Sequence, residues 1–176
     1  PFYLFHPRCV ARIARYNPPM RWIVLLRDPV ERARSQHHME RERGHERLPL
    51  WLAVLLERRR LRGHADDLAR GSRLRRCSYR ARGDYARQLD TLYAHVPRDQ
   101  VLLLRSERLR SDPEACVHEA CSFLGVAAPA PGTAYDPVFV GDYRPAPPGS
   151  PGARLLRWLM RRELRDMRER YGIVFD

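Results

Sequence analysis

The sequence predicts an α/β fold in which a parallel sheet is flanked by helices. Two short, continuous apolar runs, Trp22–Leu26 and Val101–Leu104, are typical of strands that a parallel sheet buries on both faces. Helical patterns lie between and after these runs, which is the alternation found in α/β proteins. Because two parallel strands alone do not make a stable buried sheet, the sheet is predicted to be incomplete. Its missing strands are expected upstream of Pro1 or from another chain.

Helix-start signals follow both strands. Asp28 can cap the helix after the first strand, and Pro29 suits its first turn. After the second strand, the sequence Ser111-Asp112-Pro113-Glu114 is a capping signal for a helix that Gly125 ends. The helices predicted along the chain cover Pro7 to Tyr16, Pro29 to about Gly44, Leu48 to Arg59, Gly83 to the turn at Pro97, Pro113 to Leu124, and Ala153 to Tyr171.

Two of these helices carry predictions about buried side chains. Trp51 lies within an apolar stretch and is expected in the core. The last helix is amphipathic, and its spacing predicts an inward face made of Leu155, Leu159, Leu164 and Met167.

The chain is long enough for one domain with a substantial core, at 176 residues. It begins at Pro1 without a methionine, so the sequence predicts a fragment of a longer protein. Residues 1–176 are expected to form one domain in five successive parts. These are a strand–helix unit over 22–43, a variable helical region over 44–80, a helix–strand–helix unit over 83–125, a proline-rich loop over 126–152, and a C-terminal helix over 153–171.

The composition is strongly basic, with a net charge of +12, and all 33 basic residues are arginine. The absence of lysine excludes any mechanism that needs a lysine ammonium or Schiff base from this chain itself. A positive charge is compatible with nucleic acid, an anionic membrane or a polyanionic small ligand. The arginines are spread through every segment and often matched by acids, so a nucleic-acid partner is not favoured. The longest apolar run, Leu48–Leu56, is too short to predict a transmembrane segment.

The four cysteines are scattered along the sequence and form no CxxC motif. Neither a metal site nor a disulfide framework is therefore predicted, and free thiols in a reducing cytoplasm are expected. The four residues are Cys9, Cys77, Cys116 and Cys121.

The candidate binding site lies where the first strand ends. Ligands of parallel sheets bind beyond the carboxyl ends of the strands, where Arg27 stands beside a predicted helix start. Ser35 follows about two turns into that helix, and an arginine with a hydroxyl at such a place can bind phosphate. The alternative is that Arg27 pairs with an acid and Ser35 is a surface hydroxyl. For the adjacent His37 and His38, a surface or packing role is favoured over general-base catalysis.

The segment Ile23–Ser35 closely resembles the 3′-phosphate-binding motif of sulfotransferases that use 3′-phosphoadenosine 5′-phosphosulfate (PAPS). The family form is a strand followed by LR(N/D)PVERAYS, and this chain departs from it only at Arg34, where the family has tyrosine. The resemblance implies that Arg27 and Ser35 hold the 3′-phosphate of the nucleotide. It continues in the family's order through Tyr3–Pro7, Gly83–Leu89, Asp99–Leu104, Glu107, Leu109, Asp112-Pro113 and Phe123–Val126.

The same resemblance implies a P-loop-NTPase-like sheet and the transfer of a sulfuryl group from PAPS to a hydroxyl or amine, without a metal. The acceptor would be a carbohydrate or a small molecule, and the product 3′-phosphoadenosine 5′-phosphate (PAP). The family's phosphate-cradling loop, its lysine and its general base are expected upstream of Pro1, so no catalytic residue is assigned and this chain alone is expected to be inactive. Phe139, Tyr143 and Arg144 are candidates for covering the nucleotide.

Two other readings of the sequence stay open. The chain could be a catalytically inactive module that binds a nucleotide or glycan, or a basic nucleic-acid-binding protein. Neither the acceptor nor the oligomeric state follows from the sequence.

Overall fold

The computed structural model describes residues 2–130, 132–136 and 151–175. Strand β1 (Trp22–Leu26) pairs in parallel with strand β2 (Val101–Arg105). The register runs from Trp22 opposite Val101 to Leu26 opposite Arg105, so both carboxyl ends lie at one edge. The α/β class and both predicted strands are confirmed, with β2 one residue longer than predicted.

Helices precede, connect and follow the two strands in the described part of the chain. Short 3₁₀ turns lie at Ala81–Gly83 and Arg98–Gln100. The helices are α1 (Phe2–Phe5), α2 (Pro7–Tyr16), α3 (Pro29–Glu42), α4 (Leu50–Leu55), α5 (Glu57–Leu61), α6 (Arg73–Cys77), α7 (Tyr85–Tyr93), α8 (Ser106–Ser111), α9 (Pro113–Leu124), α10 (Pro151–Leu159) and α11 (Arg161–Tyr171).

The predicted helices differ from the observed ones mainly where tertiary packing bends the chain. Helices α2 and α9 have their predicted bounds, and Gly125 ends α9 in the left-handed conformation. The helix predicted from Leu48 is divided at Leu56 into α4 and α5. The helix predicted from Ala153 to Tyr171 is divided at Met160 into α10 and α11.

The break at Met160 lets the C-terminal segment reach two separate core clusters. In the first cluster, α7 and α11 pack on one face of the sheet, with Leu89, Leu92 and Met167 fully buried. In the second, α4 and α10 pack on α3, and Leu156 and Met160 are buried there. A continuous straight helix would keep one direction along its whole length. Because the segment bends at Met160, α10 packs in one cluster and α11 packs in the other.

Three predictions of burial are wrong. Leu156 rather than Leu155 faces the core, because the inward face of α10 is set by its contact with α3 and α4. Trp51 is exposed on α4, whose inward face is formed by other residues. Strand β1 is buried on one face only, since Ile23 and Leu25 are 41% and 40% exposed.

The variable region over 44–80 is held by buried carboxylates. Glu46 accepts hydrogen bonds from the Arg60 guanidinium at 2.6 Å and the Tyr79 hydroxyl at 2.8 Å. Glu57 accepts from the backbone N–H groups of Arg80 at 2.6 Å and Ala81 at 2.8 Å. Each carboxylate is thus satisfied inside the fold, where an unpaired charge would be strongly destabilising.

All four cysteines are free thiols in the structure. Among residues 2–130, 132–136 and 151–175, no group of three or more histidine, cysteine or acidic side chains is arranged to hold a metal ion. A search of the same residues finds no helix with the length and apolarity to cross a membrane.

Gly83 is the point where α3 and the Met160 bend meet. A Cβ atom at this position would lie 2.6 Å from Met160 Cε and 2.9 Å from Pro29 Cβ. The methionine end can move, but Pro29 is fixed in the first turn of α3. We therefore expect Gly83→Ala to lower the free energy of unfolding by about 1–3 kcal/mol, the usual cost of overpacking. Urea denaturation measures this loss.

Gly71→Ala is the matched control for that substitution. Its added Cβ would meet only the far end of the Arg76 side chain, at 3.1 Å, and that end can move aside. An equal loss of stability in both variants would show that close packing at Gly83 is not the cause.

Candidate functional site

The carboxyl ends of the two strands are joined by a hydrogen bond between their following residues. The backbone N–H of Asp28 donates to Glu107 Oε1 at 3.0 Å. The Ser106 hydroxyl reaches the same oxygen at 3.3 Å. Arg27, the residue directly after β1, is therefore fixed between β1 and this junction.

Asp28 also fixes the start of α3. Its Oδ1 accepts the backbone N–H of Glu31 at 2.8 Å, so the predicted helix cap is confirmed. Its Oδ2 accepts a hydrogen bond from the Arg157 guanidinium of α10 at 3.1 Å. Burial raises the pKa of Asp28, although the N–H of Glu31 and the charge of Arg157 act in the opposite direction.

Arg27 directly precedes the cap residue of α3, and Ser35 lies about two turns into that helix. Arg27 is half-buried, and its backbone forms a hydrogen bond with the Tyr85 hydroxyl. Ser35 follows the cap residue Asp28 by seven positions, which places it on the same helix face about 10 Å along the axis. Its hydroxyl makes no hydrogen bond to another residue within the described ranges. The site therefore offers a guanidinium and a hydroxyl that has no hydrogen-bond partner among the described residues.

Arginines dominate the charge around this edge of the sheet. Arg105 ends β2, with its Nε 3.8 Å from Glu107 Oε2 and its guanidinium 5.8 Å from the centre of the Phe175 ring. Arg32 in α3 donates to Gln36 Oε1 at 2.8 Å. Burial lowers the pKa of Arg32, and repulsion from Arg27 adds to the effect. The field at the strand ends therefore favours an anion.

A cavity of about 310 Å³ opens beside Arg157. Its polar lining is mainly cationic, because Arg165 and Arg168 accompany Arg157 and Glu169 is the one acid among the lining residues. Phe175 contributes to the apolar wall and is also the ring beneath Arg105. The basic edge thus continues from β2 to the C-terminal helices.

Known proteins identify this arrangement. A family model described as "Sulfotransferase domain" matches residues 8–134, which include both strands, α3 and α9. The chain belongs to the sulfotransferase domain family. The resemblance seen in the sequence is thereby confirmed.

A solved sulfotransferase from Alicyclobacillus acidocaldarius has a similar structure. It shares 25% sequence identity with this chain, and the superposition has a TM-score of 0.71. The match covers 95% of this chain and 60% of the other chain, so this sulfotransferase domain spans less than two thirds of that protein's length. No curated protein matches the sequence significantly.

The contact between Arg157 and Asp28 was not predicted from the sequence. Arg157 lies outside the matched residues 8–134 and 129 positions after its partner Asp28. No spacing rule connects residues so far apart, and a single arginine among 33 carries no signal of its own. Glu107 was noted only as part of a motif, and its bond to Asp28 depends on the pairing of the two strands.

At Arg34, where the sequence departs from the family motif, the side chain is largely buried and pairs within α3. The Arg34 guanidinium donates to Glu31 Oε1 at 3.1 Å, one turn earlier in α3. The remaining nucleotide candidates, Phe139, Tyr143 and Arg144, lie outside the described residues.

The two histidines of α3 have structural contacts, as the sequence analysis favoured. His37 Nε2 lies 2.9 Å from the Leu48 carbonyl oxygen. The imidazole packs edge-on against the Tyr79 ring, with the two ring centres 5.8 Å apart. Burial lowers the pKa of His37. His38 Nε2 lies 3.2 Å from Glu42 Oε1 on the outer surface.

His37 predicts a pH dependence of stability. Because its pKa is lower in the folded state, the unfolded chain takes up the proton first as the pH falls below the ordinary value of about 6.5. The stability contributed by neutral His37 is therefore present above that pH and lost below it. Denaturant titrations between about pH 7.5 and pH 5.5 should show a smaller loss in His37→Gln than in the wild type.

The exposed His95 provides the control for this measurement. His95→Gln should keep the pH dependence of the wild type. If His37→Gln keeps it as well, the titrating group is another residue.

The cap at Asp28 gives a second prediction. Asp28→Ala removes the acceptor of the Glu31 N–H and should cost about 1–2 kcal/mol of stability. Asp28→Asn keeps an acceptor oxygen and loses mainly the pair with Arg157, whose side chain is 41% exposed, so it should cost less than about 1 kcal/mol. Chemical denaturation compares the two.

Asp112 offers a matched cap at the start of α9, where its Oδ1 accepts the N–H of Ala115 at 3.1 Å. Here too, Asp112→Ala should lower the stability more than Asp112→Asn does. A loss in Asp28→Asn as large as in Asp28→Ala would assign the stabilisation to the charge of Asp28 instead of its cap.

Proposed function

We propose that this chain forms the 3′-phosphate side of a PAPS-dependent sulfotransferase. The observation that carries the proposal is the position of Arg27 at the carboxyl edge of the sheet, directly before the cap residue of α3. Membership of the sulfotransferase domain family supports it. The enzyme would transfer a sulfuryl group to a hydroxyl or amine and release PAP.

The residues present fit a phosphate by their chemistry. A guanidinium can donate two parallel hydrogen bonds to phosphate oxygens, and Arg27 carries such a fork. The dipole of the 14-residue helix α3 favours negative charge near its N-terminus, where the Asp28 carboxylate already accepts the N–H of Glu31. Ser35 adds a neutral hydroxyl that can donate to one further oxygen. A 3′-phosphate supplies the charge and the acceptors that this set of donors requires.

Nucleotide recognition alone does not complete the reaction. In sulfuryl transfer the bond from sulfur to the bridging oxygen of PAPS breaks, a bond from sulfur to the acceptor oxygen or nitrogen forms, and the acceptor loses a proton. The resemblance implies a lysine near the bridging oxygen, and this sequence contains none. The chemical step is therefore assigned to no residue of this chain, and its task is binding and orientation of the nucleotide.

The nearby arginines support orientation of the rest of the nucleotide. Arg105 and Arg157 lie at the same edge as Arg27, through their links to Glu107 and Asp28. Phe139, Tyr143 and Arg144 remain proposed contacts to the adenine and phosphates, on the sequence alone. A carbohydrate or another small hydroxylated molecule is the proposed acceptor, and residues 40–80 are the proposed region for its recognition.

A nucleic-acid-binding function is the weaker proposal. Many of the arginines are paired with acids, as in Arg60 with Glu46 and Arg108 with Glu119. The positive charge is thus partly neutralised within the fold, and the family match gives no support to nucleic-acid binding. A binding module without chemistry uses the same Arg27 site, so it differs from the enzyme only in the transfer step.

Calorimetric titration with PAP tests the proposed site. Wild-type protein should bind PAP and should bind adenosine 5′-monophosphate, which lacks the 3′-phosphate, much more weakly. Arg27→Ala should weaken PAP binding about tenfold to a hundredfold, the range for a lost hydrogen bond to a charged group. Ser35→Ala should weaken it less, because the lost bond comes from a neutral donor.

Arg15→Ala removes an exposed arginine from α2 and should leave the affinity for PAP unchanged. Equal affinity of Arg27→Ala and the wild type would refute the proposed 3′-phosphate site. Equal binding of both nucleotides, with a steep fall in salt, would favour general polyanion binding instead.

A further inference from the structure

Helices α4 and α10 each expose a tryptophan and a leucine. Trp51 on α4 is 50% exposed, and Trp158 on α10 is 58% exposed. Leu55 lies one turn after Trp51, and Leu155 lies one turn before Trp158, and both leucines are exposed as well. The indole rings are the largest apolar groups of a chain, so their exposure on two contacting helices requires an explanation.

These four side chains lie on the parts of α4 and α10 that the core cluster leaves exposed. Both helices pack their inner residues on α3, in the cluster that contains Val30 and Ala33. From α4 this cluster receives Val54, and from α10 it receives Leu156. Since α4 and α10 contact each other, the exposed residues of the two helices belong to adjoining parts of the surface. We call the surface formed by Trp51, Leu55, Leu155 and Trp158 the tryptophan face.

Exposed arginines accompany the tryptophan face on the same helices and directly after them. Arg161 lies over the Trp158 ring, with its guanidinium carbon 4.4 Å from the ring centre. This contact keeps a cation beside the indole while the indole stays exposed. The exposed arginines on or directly after the two helices are Arg58, Arg59, Arg154, Arg161 and Arg162.

The acids of the same segments are turned inward. Glu57, at the start of α5, is buried and accepts the backbone N–H groups of Arg80 and Ala81. Glu163, in the first turn of α11, is buried and accepts from the Arg80 guanidinium at 2.5 Å. The charge that remains outside, next to the tryptophan face, is therefore that of the arginines.

We propose that the tryptophan face binds the surface of an anionic lipid bilayer. A bilayer presents negative headgroups above an apolar layer, which matches a surface of tryptophan and leucine accompanied by arginine. Tryptophan prefers this boundary, because its ring is apolar and its N–H needs a polar partner. The binding is peripheral, since the face is made of side chains on two short helices that also pack on α3. This inference is independent of the proposed nucleotide site.

Sedimentation with lipid vesicles tests the proposal. The wild-type chain should bind vesicles of phosphatidylcholine mixed with phosphatidylglycerol, and should bind pure phosphatidylcholine vesicles weakly. The double variant Trp51→Ser with Trp158→Ser should lose about tenfold or more in partitioning, because two apolar anchors are removed. Its substituted side chains are exposed, so its circular dichroism and thermal unfolding should match the wild type. The tryptophan fluorescence of the wild type should shift to shorter wavelength on binding.

The arginines are tested separately. Arg58→Gln with Arg161→Gln should reduce binding to anionic vesicles about fivefold for each charge removed, the size expected for one basic residue near an anionic surface. The matched control, Arg12→Gln with Arg15→Gln, removes two exposed arginines from α2 and should have a smaller effect. For the aromatic residues the control is Tyr16→Ser, since Tyr16 is 91% exposed on α2.

Three results would overturn the proposal. The first is the absence of binding to anionic vesicles by the wild type. The second is equal binding by the tryptophan double variant, which would mean that net charge alone attracts the protein. The third is a dimer of the wild type, seen by sedimentation equilibrium, that the double variant abolishes, because the face would then be an interface between two copies.

Discussion

The described part of the site depends on Asp28. Its backbone N–H connects β1 to Glu107 after β2, and its carboxylate caps α3 and receives Arg157 from α10. A short side chain at the end of a strand thus fixes the second strand, the following helix and the C-terminal segment relative to Arg27. The cost is the burial of a carboxyl group, visible in its raised pKa, and the hydrogen bonds from Glu31 and Arg157 offset it.

Buried carboxylates that bond to arginine or to backbone N–H groups occur elsewhere in the molecule as well. The carboxylates Glu46, Glu57 and Glu163 are buried and accept hydrogen bonds from arginine or from backbone N–H groups. The excess of 33 arginines over 21 acids is therefore carried largely at the surface and at the strand ends. Arginine suits this use, because its planar guanidinium can bridge a carboxylate, stack on a ring and remain charged when half-buried. Net charge alone says little about function here, and position decides which arginines can meet a ligand.

Local signals in the sequence predicted the elements around the site well. The apolar run of β1, the cap at Asp28 and the glycine at position 125 each act within a few residues, and the structure confirms all three. The inward face of α10, the exposure of Trp51 and the contact of Arg157 with Asp28 depend on packing between distant segments. Similarly, the motif located Arg27 and Ser35 without revealing how strand pairing through Glu107 holds that edge together. Their binding of a 3′-phosphate stays a prediction.

Helix α10 contributes a residue to the carboxyl edge of the sheet and residues to the tryptophan face. Arg157 points toward Asp28 and the basic edge, whereas Trp158, the next residue, is exposed on the tryptophan face. Consecutive residues of a helix point about 100° apart, so one helix can serve both surfaces without any bend between them. The bend comes later, at Met160, where the chain turns from the α3 cluster to the sheet cluster. Through Arg157 and Asp28, helix α10 is therefore linked to the start of α3 and to the segment that follows β1.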